Sequence, residues 1–258
     1  LHHVAQGRPL EENYLILPNL YKTALLCVTH AGYGPDIDWA RSRSVHTLTE
    51  SEFLSELAWC ILNVGMRERV IRNVFPYIRK CFWDFESASD IYLTGETCVE
   101  LAMIRFGHER KLKAIVEACR YILSEGGFAR FRDQLIDDPL EACSRFHYIG
   151  PVTIWHLLRN IGVDCAKPDR HLQRLAQAGG FSDPQEFCRQ VAVQTGERIG
   201  VIDMVFWRHQ ETQCCCLVSV LQRSKRSRFA AKPPQLTPRD NRRPLVCRWT
   251  KEVWRGSS

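Results

Sequence analysis

The stretch Phe146-His147-Tyr148-Ile149-Gly150-Pro151-Val152-Thr153-Ile154-Trp155-His156-Leu157-Leu158-Arg159-Asn160-Ile161-Gly162 continues through Val163-Asp164-Cys165-Ala166-Lys167-Pro168-Asp169-Arg170-His171-Leu172 to Leu175. Ile149-Gly150-Pro151 reads as a turn feeding a helix, because glycine reaches backbone angles that other residues resist and proline is preorganised for the first helical position. Ile154, Leu157, Leu158 and Ile161 then recur at helical spacing until Gly162 supplies a stop. A second helix opens at Pro168-Asp169-Arg170-His171, carries Leu172, Leu175 and Ala176 on one face, and ends at Gly179-Gly180.

Two pieces of chemistry follow from that punctuation. Free backbone N–H groups at a helix start, with a glycine allowing close approach, form an anion site that holds a phosphate without reading sequence. An ordinary tight turn between two core helices has the same sequence. Asp169 falls at a helix N-terminus, where the dipole and the unpaired N–H groups favour an ionised carboxylate. The same position suits a plain structural cap.

Hairpin, helix, loop and then Asp-x-His at a helix start resemble the helix-hairpin-helix (HhH-GPD) superfamily of DNA base-excision glycosylases. The resemblance extends upstream to the face Phe53, Leu54, Leu57, Ala58, Ile61 and Leu62, to the helix Arg67 through Phe82, and to His108 through Ile122. Downstream it takes in Gly196 through Trp207, so that most of residues 50 to 210 is covered. It implies an all-α fold of two helical subdomains with the site in the cleft between them. It makes Asp169 the catalytic carboxylate, with His171 beside it. Asp164 lies in the loop, closer to the hairpin, and does not take that role. Ile149, Gly150, Val152 and Thr153 would hold a DNA phosphate, aided by a monovalent cation at the hairpin. Lys167 and Arg170 would contact DNA, and Arg67, after Gly65 and Met66, would fill the gap left by an extruded base. Aromatic candidates for the base pocket are Tyr148, Trp155, Trp59 and Trp207, with Asp203 as a second carboxylate on a largely apolar helix.

Three departures from the family pattern refine the expectation. Tyr148 stands where the hairpin usually has its first glycine. Val152 stands where bifunctional members place a Schiff-base lysine, and an apolar side chain cannot attack a sugar carbon. The implied enzyme is therefore a monofunctional DNA glycosylase that hydrolyses the N-glycosidic bond with water. The alternatives are a bifunctional glycosylase/AP lyase using Lys167 and a non-catalytic DNA-binding module. Finally, Cys188, Cys214, Cys215, Cys216 and Cys247 do not match the family's iron–sulfur spacing, so no cluster and no required cofactor is expected. The partner is double-stranded DNA bearing a modified or damaged base, in repair or in restriction of foreign DNA.

Composition sets the frame. The chain has 258 residues with 45% hydrophobic content, enough for one large or two smaller cores. No apolar run approaches membrane-spanning length and the first residues do not read as a signal peptide, so an intracellular, monomeric protein without a membrane partner is expected. Twelve cysteines are scattered, mostly on apolar helical faces, without paired C-x-x-C motifs, which argues for reduced thiols and against a metal site. Net charge is +6, yet residues 213–258 alone hold eleven basic and two acidic groups, leaving the remainder slightly acidic. A protein that coats DNA indiscriminately would be broadly basic.

Four segments are expected. Residues 1–47 read as an irregular arm with one helix or strand, contributing to a terminal helical subdomain. Residues 48–165 form a helical barrel subdomain with the hairpin at 146–153. Residues 166–212 carry the aspartate helix and the closing helices, and residues 213–258 form a basic, Pro-rich tail with too little apolar surface to fold alone.

Overall fold

The computed structural model describes residues 16–212 and 217–222. The described residues are helical, with no strand among them. In chain order the helices are α1 (Ile16–Val28), α2 (Gly34–Ser42), α3 (Glu50–Asn63), α4 (Glu68–Cys81), α5 (Ala88–Leu93), α6 (Gly95–Met103), α7 (Glu109–Ser124), α8 (Phe128–Asp137), α9 (Pro139–Ser144), α10 (Thr153–Asn160), α11 (Arg170–Gly179), α12 (Pro184–Thr195) and α13 (Ile199–Thr212). A further helical stretch at 217–222 follows. No helix among the described residues is long and apolar enough to cross a membrane. The Cys214–Cys216 run, Cys247 and nearly all of the basic tail lie outside the described residues.

Local chemistry sets the boundaries. Thr49 caps α3 in a capping box, its hydroxyl accepting from the Glu52 N–H while the Glu52 carboxylate accepts from the Thr49 N–H. Asp183 caps α12, with Pro184 in its first turn. Gly180, at φ 91°, ends α11 in the left-handed conformation that glycine reaches without penalty. One expectation fails at the N-terminal arm. Residues 16–42 form two helices rather than an irregular arm with one, because Pro18 falls in the first turn of α1, where proline is tolerated, and Pro35 falls in the first turn of α2.

The helices bury two separate cores. One is built from residues between Leu48 and Cys165, around Phe53, Leu57, Ile61, Phe82, Leu112, Phe131 and Leu158. The other joins Leu17, Leu20, Ala24 and Val28 of α1 to Leu172, Phe187, Val191, Ile202 and Phe206 of α11 to α13, with Leu217 and Leu221. α13 is the hub of this second lobe, packing on α1, α2, α11 and α12. From Ile16 on, the chain therefore builds part of one lobe, crosses to build the other, and returns. Cys60, Cys81, Cys98, Cys119, Cys143, Cys165 and Cys188 are buried free thiols that behave as small apolar side chains.

The two crossings run side by side. Gly162, at φ 98°, passes so near the outgoing segment that an added Cβ would stand 2.5 Å from the Ser44 backbone nitrogen. Arg198, at the start of α13, ties both together: its guanidinium donates to the Arg43 carbonyl at 2.5 Å and to the Gly162 carbonyl at 3.0 Å.

Candidate active site

Between the lobes lies a cavity of about 480 Å³, within the size range of small-molecule sites. α3 and α4 contribute Glu56, Trp59, Asn63, Arg72 and Phe75, and α10 contributes Thr153, His156 and Arg159. Across from them stand Asp36 and Trp39 of α2 and Met204, Trp207 and Arg208 of α13, while Lys167 enters from the return crossing. Glu56, Trp59 and Asn63 recur at helical spacing, so α3 presents one polar and aromatic stripe to the cavity on the side away from Phe53 and Leu57.

The aromatic walls are held by cations and rings. Trp59 meets Phe75 edge-on at 5.1 Å, and the Arg72 guanidinium lies 5.7 Å from its ring centre. Arg208 is stacked between Tyr33 at 4.8 Å and Trp207 at 4.4 Å, and it pairs with Asp36 at 2.5 Å. These contacts fix flat apolar surfaces at the mouth of a polar chamber.

A buried polar chain lies beneath. Asp203 is only 2% exposed, and its Oδ2 accepts from Arg159 Nη1 at 2.6 Å and from the Lys167 backbone N–H at 3.0 Å. Arg159 also donates to Asn160 Oδ1 at 3.3 Å, and Asn160 Nδ2 donates to Glu56 Oε2 at 2.9 Å. The chain thus links α13, α10 and α3, and it anchors the loop that carries Lys167 and Asp169. Burial raises the Asp203 pKa, opposed by the Arg159 charge and the two hydrogen bonds. Burial likewise raises Glu56, opposed by Asn160.

Asp169 is the N-cap of α11. Its Oδ1 accepts from the backbone N–H groups of His171 at 2.9 Å and Leu172 at 3.0 Å. It lines a small recess with His171, Asp203, Trp207 and Gln210, and Trp207 forms a wall of both this recess and the main cavity. His171 serves Asp169 through its backbone; its ring accepts from Arg170 Nε at 3.4 Å instead.

Other expected site residues separate. Trp59 and Trp207 line the cavity, whereas Trp155 packs against the first core. Tyr148 lies at the hairpin with its ring 5.9 Å from Lys111 Nζ, and Asp203 is a buried ion-pair partner that meets only the small recess. Tyr148 and Trp155 are therefore not walls of this cavity: α10 turns Thr153, His156 and Arg159 to it, and Trp155 packs on the first core instead. Tyr148 takes φ 69°, the backbone conformation a glycine would favour. Gly150 is exposed with open space around it, and its carbonyl accepts the first helical N–H, from Ile154, at 2.9 Å. Pro151 and Val152 sit in the turn, so α10 starts two residues later than the proline suggests, and no side chain caps it. Ile149 is buried, while Gly150 and Val152 are exposed and Thr153 is half-buried. Arg67 is exposed at the N-cap of α4, and Arg170 is exposed on α11.

Two basic groups at the cavity are depressed. Burial, then the nearby Arg159 and Lys167 charges, holds His156 well below its usual pKa of 6.5, and burial followed by Arg159 lowers Lys167. The His156 shift has a stability consequence. The folded protein keeps His156 neutral while the unfolded chain takes up a proton near pH 6.5. Its contribution is therefore complete above that pH and is lost as pH falls, by at most about 1.4 kcal/mol per pH unit. Glu56 and Asp203, with raised values, act in the opposite sense, so the difference between wild type and His156→Gln isolates the term. Urea unfolding between pH 5 and 7.5 is expected to show a smaller acid-side loss in the variant, and parallel curves would refute the assignment.

No protein-family model matches this sequence, and no curated protein matches it. Among solved structures it is similar to the crystal structure of Methanocaldococcus jannaschii 8-oxoguanine glycosylase/lyase in complex with a 15mer DNA containing 8-oxoguanine. The two are 19% identical, the match covers 70% of this chain and 89% of that one, and the TM-score is 0.45.

Proposed function

We propose that the chain is a DNA N-glycosylase of the helix-hairpin-helix kind, which swings a damaged or modified base out of duplex DNA and hydrolyses its N-glycosidic bond with water. The observation that carries this reading is the Asp169 carboxylate, fixed at the start of α11 beside an aromatic and polar cleft between two lobes. A duplex hides the anomeric carbon, so the target nucleotide must leave the stack before any carboxylate can reach it. As the base departs, positive charge develops on the sugar, as in the oxocarbenium-like transition state of glycoside hydrolysis. One oxygen of Asp169 is committed to the helix cap, and the other supplies counter-charge and orients the attacking water.

The surroundings support that chemistry. Trp59 and Trp207 offer flat faces for the extruded base, and Glu56, Asn63 and His156 offer polar groups to its edge. The start of α10, uncapped by any side chain and preceded by exposed Gly150, offers backbone N–H groups to a phosphate. Among the described residues the Tyr148 and Ile149 carbonyls take no backbone N–H, and such oxygen donors suit a hard monovalent cation that would add positive charge beside the phosphate. Arg67, exposed at the N-cap of α4, would fill the gap left by the extruded base, and the exposed Arg170 would contact the DNA backbone.

The test is direct. Duplexes each carrying one alkylated, oxidised or deaminated base are incubated with the full chain, and abasic sites are revealed by hot alkali. Release from at least one substrate is expected. Binding of duplex DNA with no release from any of them would leave a non-catalytic module.

A further inference from the structure

The cavity between the lobes has more room than a flat base fills. Its 480 Å³ is the volume of about sixteen waters in the liquid, whereas a bare base is a single planar ring system. The deoxyribose takes little of this room, because Asp169 lines the separate small recess and not the cavity itself. Trp207 is a wall of both, so a base whose sugar faces Asp169 lies beside Trp207. The α3 wall in the other lobe, with Glu56, Trp59 and Asn63, is then left for whatever the base carries.

Unspent hydrogen-bonding capacity points the same way. The Ser55, Thr153 and His156 side chains and the Lys167 amine line the cavity with no hydrogen bond or ion pair among the described residues. Glu56 accepts only through Oε2, from Asn160, and Asn63 donates to the Trp59 carbonyl while its Oδ1 accepts nothing. A base presents its few polar groups along an edge, in one plane. Groups drawn from α3, α10 and the return crossing exceed that edge, and polar groups left unpaired once water is expelled cost free energy. Charge narrows the occupant further. Arg72 is paired with Glu68, Arg159 with Asp203 and Arg208 with Asp36, and burial favours the uncharged forms of Glu56 and His156. Among the described cavity-lining residues Lys167 is the cation without a carboxylate partner, which disfavours the cationic bases produced by ring alkylation.

We propose that the cleft takes a pyrimidine whose 5-position carries a bulky, neutral, hydroxyl-rich group, such as a hexose on a hydroxymethyl arm, and that Glu56, Trp59 and Asn63 of α3 read the added group. The inference rests on the glycosylase reading of the cleft and names its substrate class. The edge that the α3 stripe meets is that of the added group: the Trp59 face takes the C–H face of the hexose ring, and Glu56 and Asn63, about a turn to either side, bond its hydroxyls. A group of that size is compatible with a paired duplex only where it stands clear of the pairing edge, and C5 of a pyrimidine opens into the major groove.

The test uses duplexes identical but for one residue, carrying cytosine, 5-hydroxymethylcytosine, glucosylated 5-hydroxymethylcytosine, uracil, 8-oxoguanine or 7-methylguanine. Each is incubated with the full chain, and abasic sites are revealed by hot alkali. The glucosylated base is expected to leave at least about 10²-fold faster than the hydroxymethylated one, since a site built to bond hydroxyls rejects the analogue that lacks them. Asn63→Leu is expected to shrink that ratio several-fold, whereas a general folding defect would slow both substrates alike. Binding to the Asp169→Asn protein, read by fluorescence anisotropy, separates recognition from chemistry, and the glucosylated duplex is expected to bind about tenfold tighter than the hydroxymethylated one. Release of any unglucosylated base as fast as or faster than the glucosylated one overturns the proposal and leaves the glycosylase reading standing. An unchanged ratio in Asn63→Leu overturns the role of the α3 wall. Tighter binding of the glucosylated duplex with no release from any substrate upholds the recognition and sinks the glycosylase reading, and equal binding of all duplexes with no release overturns both.

Discussion

Asp169→Asn is expected to lower base release by about 10²–10⁴-fold with almost no change in stability. The reason lies in what each oxygen of the carboxylate does. Oδ1 caps α11 by accepting two backbone N–H groups, and an asparagine amide oxygen can accept both in the same geometry. Asparagine and aspartate are equally good caps. What the substitution removes is the negative charge that, under the proposed mechanism, faces the sugar as the base departs. Single-turnover release from the duplex that wild type processes, with a thermal melt of both proteins, checks the two halves of the claim. Undiminished release would remove Asp169 from the chemistry. Asp169→Ala is the contrasting variant: it loses the cap as well, at about 1 kcal/mol, and so mixes a folding defect with the kinetic one.

Asp203→Leu is expected to destabilise the protein by about 3–5 kcal/mol, because it strands the Arg159 guanidinium in the interior. Arg159 is 9% exposed, its only carboxylate partner among the described residues is Asp203, and its Nε already has no acceptor. The Lys167 N–H loses its acceptor too, which frees the loop leading to Asp169. Urea unfolding measures the loss. The double variant Asp203→Leu with Arg159→Met is expected to recover much of it, since an apolar pair carries no stranded charge. A single variant as stable as wild type would mean that the ion pair contributes nothing to holding the lobes together.

Much of the local structure is written in neighbouring residues. The Thr49–Glu52 capping box, the Asp183-Pro184 start, the Gly179-Gly180 stop and the N-cap at Asp169 all depend on residues within a few positions of each other. The cavity is not of that kind. Glu56 and Asn63 read locally as polar interruptions of an apolar helix, and His156 as one polar residue on a short amphipathic one. They converge only because α13 and α2 close over them from the other lobe. The Glu56–Trp59–Asn63 stripe was the available signal. Lys167 in sequence reads as a surface or phosphate-contacting lysine, and its enclosure comes from Arg159, Asp203 and the returning chain. The N-terminal arm misleads for a similar reason: α1 is settled by its packing against α13, far away in sequence.

The near contact of Gly162 with Ser44, bridged by Arg198, makes the central lobe an insert whose points of departure and return are neighbours. Segments with adjacent ends are those that domain grafting and circular permutation tolerate. Such a layout lets the cavity walls of α3, α4 and α10 diverge as a block while the aspartate-bearing half keeps its own packing, so that, under the proposed glycosylase function, a change of lesion preference would not need to disturb Asp169.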